Sequence, residues 1–120
     1  AQSKQAMAKY DELPVYKASY DLLLAIFQFT KNFSKEYKYT VGESLKKETV
    51  ALITLIYRAN SVERKAEVLQ LAREQIEIIR LFTRLMKDLR QINLDKFVLV
   101  NKVVENVSKQ LTGWQKSQQK

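Results

Sequence analysis

Residues 57–90, YRANSVERKAEVLQLAREQIEIIRLFTRLMKDLR, decide the fold. Leu71, Ala72, Ile76, Ile78, Ile79, Leu81, Phe82, Leu85, Met86 and Leu89 recur with helical spacing and cover most of a helix circumference. One lane departs from this apolar coat. Arg73, Arg80, Arg84 and Lys87 are spaced by seven, four and three residues, which at about 100° per residue places them within roughly 60° of one another. A helix so widely apolar is expected to be packed on more than one side, with its cationic lane turned toward something acidic.

Working outward, residues 94–114 (LDKFVLVNKVVENVSKQLTGW) place Phe97, Val100, Val104, Val107, Leu111 and Trp114 at alternating threes and fours, an a/d seam. The run Phe97-Val98-Leu99-Val100 is also β-prone, but the helical period continues for two more turns and no partner strand is evident. Helix is therefore expected over 94–112 or beyond, capped by Asn93 or Asp95. Helix three is expected over 62–90, after a stop at Asn60-Ser61 with Ser61 as its cap. On the N-terminal side, Pro14 suits a first helical turn. Helix one is expected over 14–33, with Tyr16, Tyr20, Leu23, Leu24, Phe27 and Thr30 on its inner face. Thr40 and Glu43 have capping-box spacing, and helix two would run to Ala59 with Val41, Leu45, Leu52, Ile56 and Ala59 inward. The expected architecture is all-α: an up-down-up-down four-helix bundle over 13–114. It is flanked by a flexible extension, 1–12, and a polar tail, 115–120.

Composition narrows the chemistry. A chain of 120 residues with 2 Gly and 1 Pro forms one domain built from a few long elements. Basic residues outnumber acidic ones 21 to 13, giving +8 and a pI near 9.7, a balance that favours polyanionic partners. With no Cys and no His, thiolate chemistry and the commonest general base and metal ligand are excluded. No phosphate loop or Glu-x-x-His pair is present, and the carboxylates Glu74 and Glu77 lie among cations, as in a solvated salt-bridge face. The expected protein is not an enzyme and carries no cofactor or metal. No apolar run reaches the ~18 residues of a membrane span. No secretory signal is recognisable, although Ala1 is not an initiator Met, and the cytoplasm is the expected compartment.

The candidate binding residues are therefore cations. Besides Arg73, Arg80, Arg84 and Lys87, a dense patch gathers Lys46, Lys47, Arg58, Arg64 and Lys65 around helix two and the following turn. Acid-first, base-last order in helix three also suits the helix dipole. Dipole complementation does not explain confinement to one lane, nor the choice of arginine, whose fork grips phosphate and carboxylate. Lys102, Lys109 and Lys116 form a solvated face opposite the helix-four seam. Tyr37 and Tyr39 beside Lys35 and Lys38 are candidates for base stacking, although aromatics beside a bundle loop more often cover the core.

The blocks IYRANSVERKAEVLQLAREQIEIIRLFTRLMKDLR and LDKFVLVNKVVENVSKQLTGWQKS resemble Avd, the accessory protein family of diversity-generating retroelements. The likeness is carried by the Arg58-Ala59-Asn60 stop, the Ile79-Arg80-Leu81-Phe82-x-Arg84-Leu85 centre of helix three, and the Leu111-x-Gly113-Trp114 close. It extends over residues 15–117. A related four-helix group, encoded in 23S rRNA intervening sequences, carries a Ser-rich Asn-Ile-x-Glu-Gly stretch near its second helix, where this chain has Tyr57-Arg58-Ala59-Asn60-Ser61. The resemblance implies a non-enzymatic subunit assembling as a homopentameric barrel. It would bind the retroelement's reverse transcriptase and engage template-repeat RNA, and cDNA with it, during error-prone copying. The family's basic positions fall on Arg80 and Arg84, then on Arg73 and Lys87. An rRNA-associated protein and a purely structural oligomerisation module are the competing expectations.

Overall fold

The computed structural model describes residues 9–118. Four long helices dominate: α1, Pro14–Thr30; α2, Glu43–Ser61; α3, Lys65–Asp88; and α4, Leu94–Ser117. Each packs on its chain neighbour, and α4 returns against α1, closing an antiparallel bundle of 51 × 22 × 20 Å.

The inner faces follow a spacing of three and four. Leu45, Leu52, Ile56 and Ala59 of α2 are buried against Leu69, Ala72, Ile76, Ile79 and Met86 of α3 and Val100, Val104, Val107 and Leu111 of α4. Removing each large aliphatic chain from water contributes about 1.5–3 kcal/mol. Small hydroxyls complete the pattern without leaving an unpaired group. Ser19, Thr49 and Thr83 are buried, and each donates to the carbonyl four residues earlier (Val15, Leu45 and Ile79) at 2.8 Å.

On α1 the expected face is displaced. Its buried positions are Val15, Ser19, Leu22, Ile26 and Phe29, and Thr30 is buried as expected. Tyr20, Leu24 and Phe27 point outward, while Tyr16 and Leu23 are half-buried. The helix carries two apolar lanes roughly 100° apart, and the lane with the smaller Ser19 is the one that fits between α2 and α4.

Three boundaries also differ from expectation. Thr40 does not cap α2: its hydroxyl donates to Glu36 O at 2.8 Å, because a one-turn helix at Lys35–Tyr37 and a π-turn at Lys38–Gly42 lead directly into α2. Gly42 is buried there, where an added Cβ would lie 3.3 Å from Tyr37 O and 3.5 Å from the Phe33 ring. Ser61 ends α2 rather than starting α3, and donates to Tyr57 O. Helix α4 continues to Ser117 with Gln115 buried, so this part of the expected tail belongs to the bundle. Residues 9–12 are likewise ordered in part. Tyr10–Glu12 forms a 3₁₀ turn whose Tyr10 ring meets Tyr16 and Tyr57 edge-on at 5.1 and 4.8 Å. The expected flexibility of 1–8 lies outside the described residues.

At the α3–α4 turn, Arg90 adopts a left-handed φ of 61°, and Gln91 N–H reaches back to Met86 O at 2.9 Å, a Schellman-type close. Asn93 then caps α4, accepting from Lys96 N–H at 2.8 Å.

Candidate nucleic-acid and partner interface

The arginine lane lies along the seam between α3 and α4, and its charges meet partners within the chain. Arg73 donates through Nη1 to Gln115 Oε1, and Gln115 Nε2 in turn donates to Ala66 O and Gln70 Oε1, both at 3.1 Å. Arg80 is held between two carboxylates, Nε to Glu77 Oε1 at 3.0 Å and Nη1 to Glu105 Oε2 at 2.9 Å. Hydrogen bonds from Glu77 and then Glu105 raise its pKa further above the usual arginine value, so it is charged throughout the accessible range. Lys87 lies 3.8 Å from Asp88 Oδ1 and 4.8 Å from the centre of the Phe97 ring, a cation–π arrangement. Arg84 differs from these. Its Nε meets Asp88 Oδ2 at 3.3 Å, but 67% of its side chain remains exposed against 30% for Arg80.

The second basic patch is divided in the same way. Lys65 is structural: its Nζ donates to the carbonyls of Ala59, Asn60 and Val62 at 2.7–3.2 Å, neutralising the C-terminal end of α2. Burial lowers its pKa from 10.5. Lys46 pairs with Glu43 at 2.9 Å and lies 4.6 Å from the Phe27 ring centre. Lys47, Arg58 and Arg64 are exposed and appear in none of the six ion pairs found among the described residues. Lys102, Lys109 and Lys116 form an open face as expected. Tyr39 is exposed with Lys38 Nζ 5.9 Å from its ring centre, whereas Tyr37 packs against the core.

Large apolar side chains occupy much of the surface; sequence reasoning anticipated this on α3 but placed Tyr20, Leu24 and Phe27 of α1 inward. On α1 and α2 these are Tyr20, Leu24, Phe27, Val50 and Tyr57. Phe27 and Val50 line one groove of about 350 Å³ with Glu43, Lys46 and Lys47. On α3, Leu71, Ile78, Leu81 and Leu85 are exposed, which is the excess apolar arc visible in residues 57–90. On α4, Leu99 lines a second groove of about 350 Å³ against Ala25 and Phe29 of α1. Single exposed leucines are ordinary, but stripes of them at helical spacing mark contact surfaces. No helix among the described residues is long and apolar enough to cross a membrane.

The fold and surfaces define a basic antiparallel four-helix bundle with exposed apolar stripes and cations on its outer faces. Within that class, a family model described as bAvd-like matches residues 14–118, and the chain belongs to that family. Membership agrees with the likeness to Avd and supports an accessory role in diversity-generating retroelements. No curated protein matches the chain.

Proposed function

We propose that this chain is the non-enzymatic subunit that binds a retroelement reverse transcriptase and its template RNA, supporting mutagenic cDNA synthesis in the cytoplasm. The family match over residues 14–118 carries this reading, and the +8 charge supports contact with a polyanion. Arg58, Arg64 and Arg84 are the contacts the reading favours, because their side chains reach solvent. Arg73, Arg80 and Lys87 shape the positive seam while tied to their own partners, and Lys46 and Lys65 hold α2 in place. In this reading the bundle works as a homo-oligomeric ring, with five protomers the number the Avd likeness implies.

The test is affinity for single-stranded template-repeat RNA across a salt series, with and without a reverse transcriptase of a diversity-generating retroelement. Three phosphate contacts give a slope of roughly −2 in log affinity against log salt. The expected result is that slope for the chain alone, with a stable complex on size exclusion once the reverse transcriptase is added. A flat salt response, or separate elution of the two proteins, overturns the reading.

A further inference from the structure

The N-terminal end of α1 gathers tyrosines and carboxylates that the core does not need. Tyr16 and Tyr20 lie one turn apart, with their rings near-parallel (5°) and 6.5 Å between centres. The turn before them brings in a third ring. Leu13 N–H donates to Tyr10 O at 3.2 Å and Glu12 N–H to Lys9 O at 3.0 Å, and the Tyr10 ring is wedged edge-on between Tyr16 and Tyr57 of α2. Val15, Ser19 and Leu22 are what seat this part of α1 in the bundle, so the rings stand outside it. Tyr10, Asp11, Tyr16, Lys17, Tyr20 and Asp21 together line a hollow of about 470 Å³.

Its charge runs against that of the rest of the molecule. Residues 10–21 hold three carboxylates (Asp11, Glu12 and Asp21) and one ammonium (Lys17), in a chain where basic residues outnumber acidic ones 21 to 13. Asp11 forms none of the ion pairs found among the described residues. Asp21 reaches only Lys17, at 3.9 Å with both side chains more than half exposed, a pairing worth little. No arginine of the chain fills the hollow either: Arg58, the residue after Tyr57, is absent from the ion pairs. The ring faces add the negative side of their quadrupoles. Burial, and then Tyr10, Asp11 and Tyr20, hold the Tyr16 hydroxyl above its ordinary pKa of 10.0, so a further negative charge is disfavoured at this spot. A phosphate is repelled here, and a cation is what the hollow lacks.

We propose that this hollow is a binding site for a guanidinium group, the arginine side chain of a protein partner, stacked on the tyrosine faces and donating at its edge to Asp11 and Asp21. A planar, weakly hydrated cation can stack on a ring and donate in its own plane at the same time. A lysine ammonium is a compact, strongly hydrated point charge and matches only part of that arrangement. The site takes charge of the opposite sign to the RNA contacts proposed above and does not depend on them.

The experiment titrates the full chain, isotopically labelled in its tyrosine rings, with N-acetylarginine methylamide and with its neutral isostere N-acetylcitrulline methylamide, read by NMR. The Tyr10, Tyr16 and Tyr20 ring signals are expected to shift and saturate with a Kd on the order of 1 mM. Tyr39, exposed at the other end of the bundle, should not move, and citrulline should bind about tenfold more weakly or not at all. D11N/D21N is expected to weaken arginine binding about tenfold, and K17Q, which releases Asp21, to strengthen it about threefold. All three positions are exposed, and circular dichroism melts check that the variants fold. An absent or unsaturable shift, equal binding of citrulline, or an unchanged affinity in D11N/D21N overturns the proposal. Saturation by adenosine monophosphate in place of arginine, or weaker binding in K17Q, would make the hollow a site for nucleotide and overturns it as well. N-acetyllysine methylamide binding as tightly as the arginine probe overturns the assignment to a guanidinium.

Discussion

The α3–α4 seam and the α1–α2 face carry the same ingredients, cations beside apolar side chains, but dispose of them differently. Along the seam each cation of the lane is matched within the chain, Arg80 by Glu77 and Glu105, Arg73 by Gln115, and Lys87 by Asp88 and Phe97. Across the α1–α2 face Lys46 pairs with Glu43 and covers the Phe27 ring, but Leu24 and Val50 stand open and Lys47 is in none of the ion pairs among the described residues. A row of like charges is therefore not in itself a binding site. What distinguishes the two regions is how fully the fold supplies each cation a partner of its own.

The largest effect expected of any substitution separates the two lanes of α1. Leu22 and Leu24 are the same residue two positions apart, 1% and 48% exposed. Leu22→Ala should cost about 2–5 kcal/mol through lost burial and the cavity left behind. Leu24→Ala should change the stability of the monomer by no more than about 0.5 kcal/mol. Urea unfolding of both variants at low concentration measures the difference, and equal costs would mean that α1 is seated in the other register.

Within the seam, Arg80 and Arg84 should separate next. Arg80→Ala removes contacts to two carboxylates and leaves Glu105 without its cation, so a loss of about 1 kcal/mol is expected. Arg84→Ala, mostly exposed, should stay within about 0.5 kcal/mol. RNA binding should reverse that order. Losing one phosphate contact at Arg84 lowers the salt slope by about 0.7, and Arg80→Ala leaves the slope unchanged. Equal slopes would return both arginines to the same role.

Much of the fold was legible in the sequence because periodicity reports which residues share a face. The a/d positions of α2, α3 and α4 follow from it directly, and residue chemistry narrowed the cap of α4 to Asn93 or Asp95, of which Asn93 is the one used. Helix α1 was ambiguous, since period alone cannot choose between two apolar lanes. The larger aromatic residues favoured Tyr20 and Phe27, while the space between α2 and α4 favoured Ser19 and Leu22. The arginine lane was equally visible as a lane. Its neutralisation was not, because Glu105 lies 25 positions from Arg80 and Gln115 lies 42 from Arg73, with Gln115 read as part of a polar tail.

A smaller effect tests the turn that joins the two helices of the seam. Arg90 is the non-glycine residue with positive φ among the described residues, a conformation that costs an L side chain about 1 kcal/mol. Its side chain is exposed and forms none of the ion pairs there. Arg90→Gly should raise stability by up to about 1 kcal/mol, less what glycine gains in the unfolded chain. A destabilised variant would show that Arg90 makes a contact that offsets its strain.

The smallest effect is that of pH, and it also separates the two regions. With no His and no Cys, few side chains titrate between about pH 5.5 and 8, so stability should be flat there. The first changes should come in alkali, from groups outside the arginine seam. Burial holds the Lys65 pKa below 10.5, so approaching that value the native state releases its proton first and stability rises with pH. Tyr16, on α1, is shifted the other way. Burial, followed by Tyr10 and Asp11, raises its pKa above 10.0, so beyond that value the unfolded chain ionises first and stability falls. The two slopes oppose each other and should leave a shallow maximum near pH 10. Denaturant midpoints from pH 5.5 to 11 measure the curve. Lys65→Met should remove the rise and Tyr16→Phe the fall, whereas a steep change below pH 8 would require a titrating carboxylate that this structure does not identify.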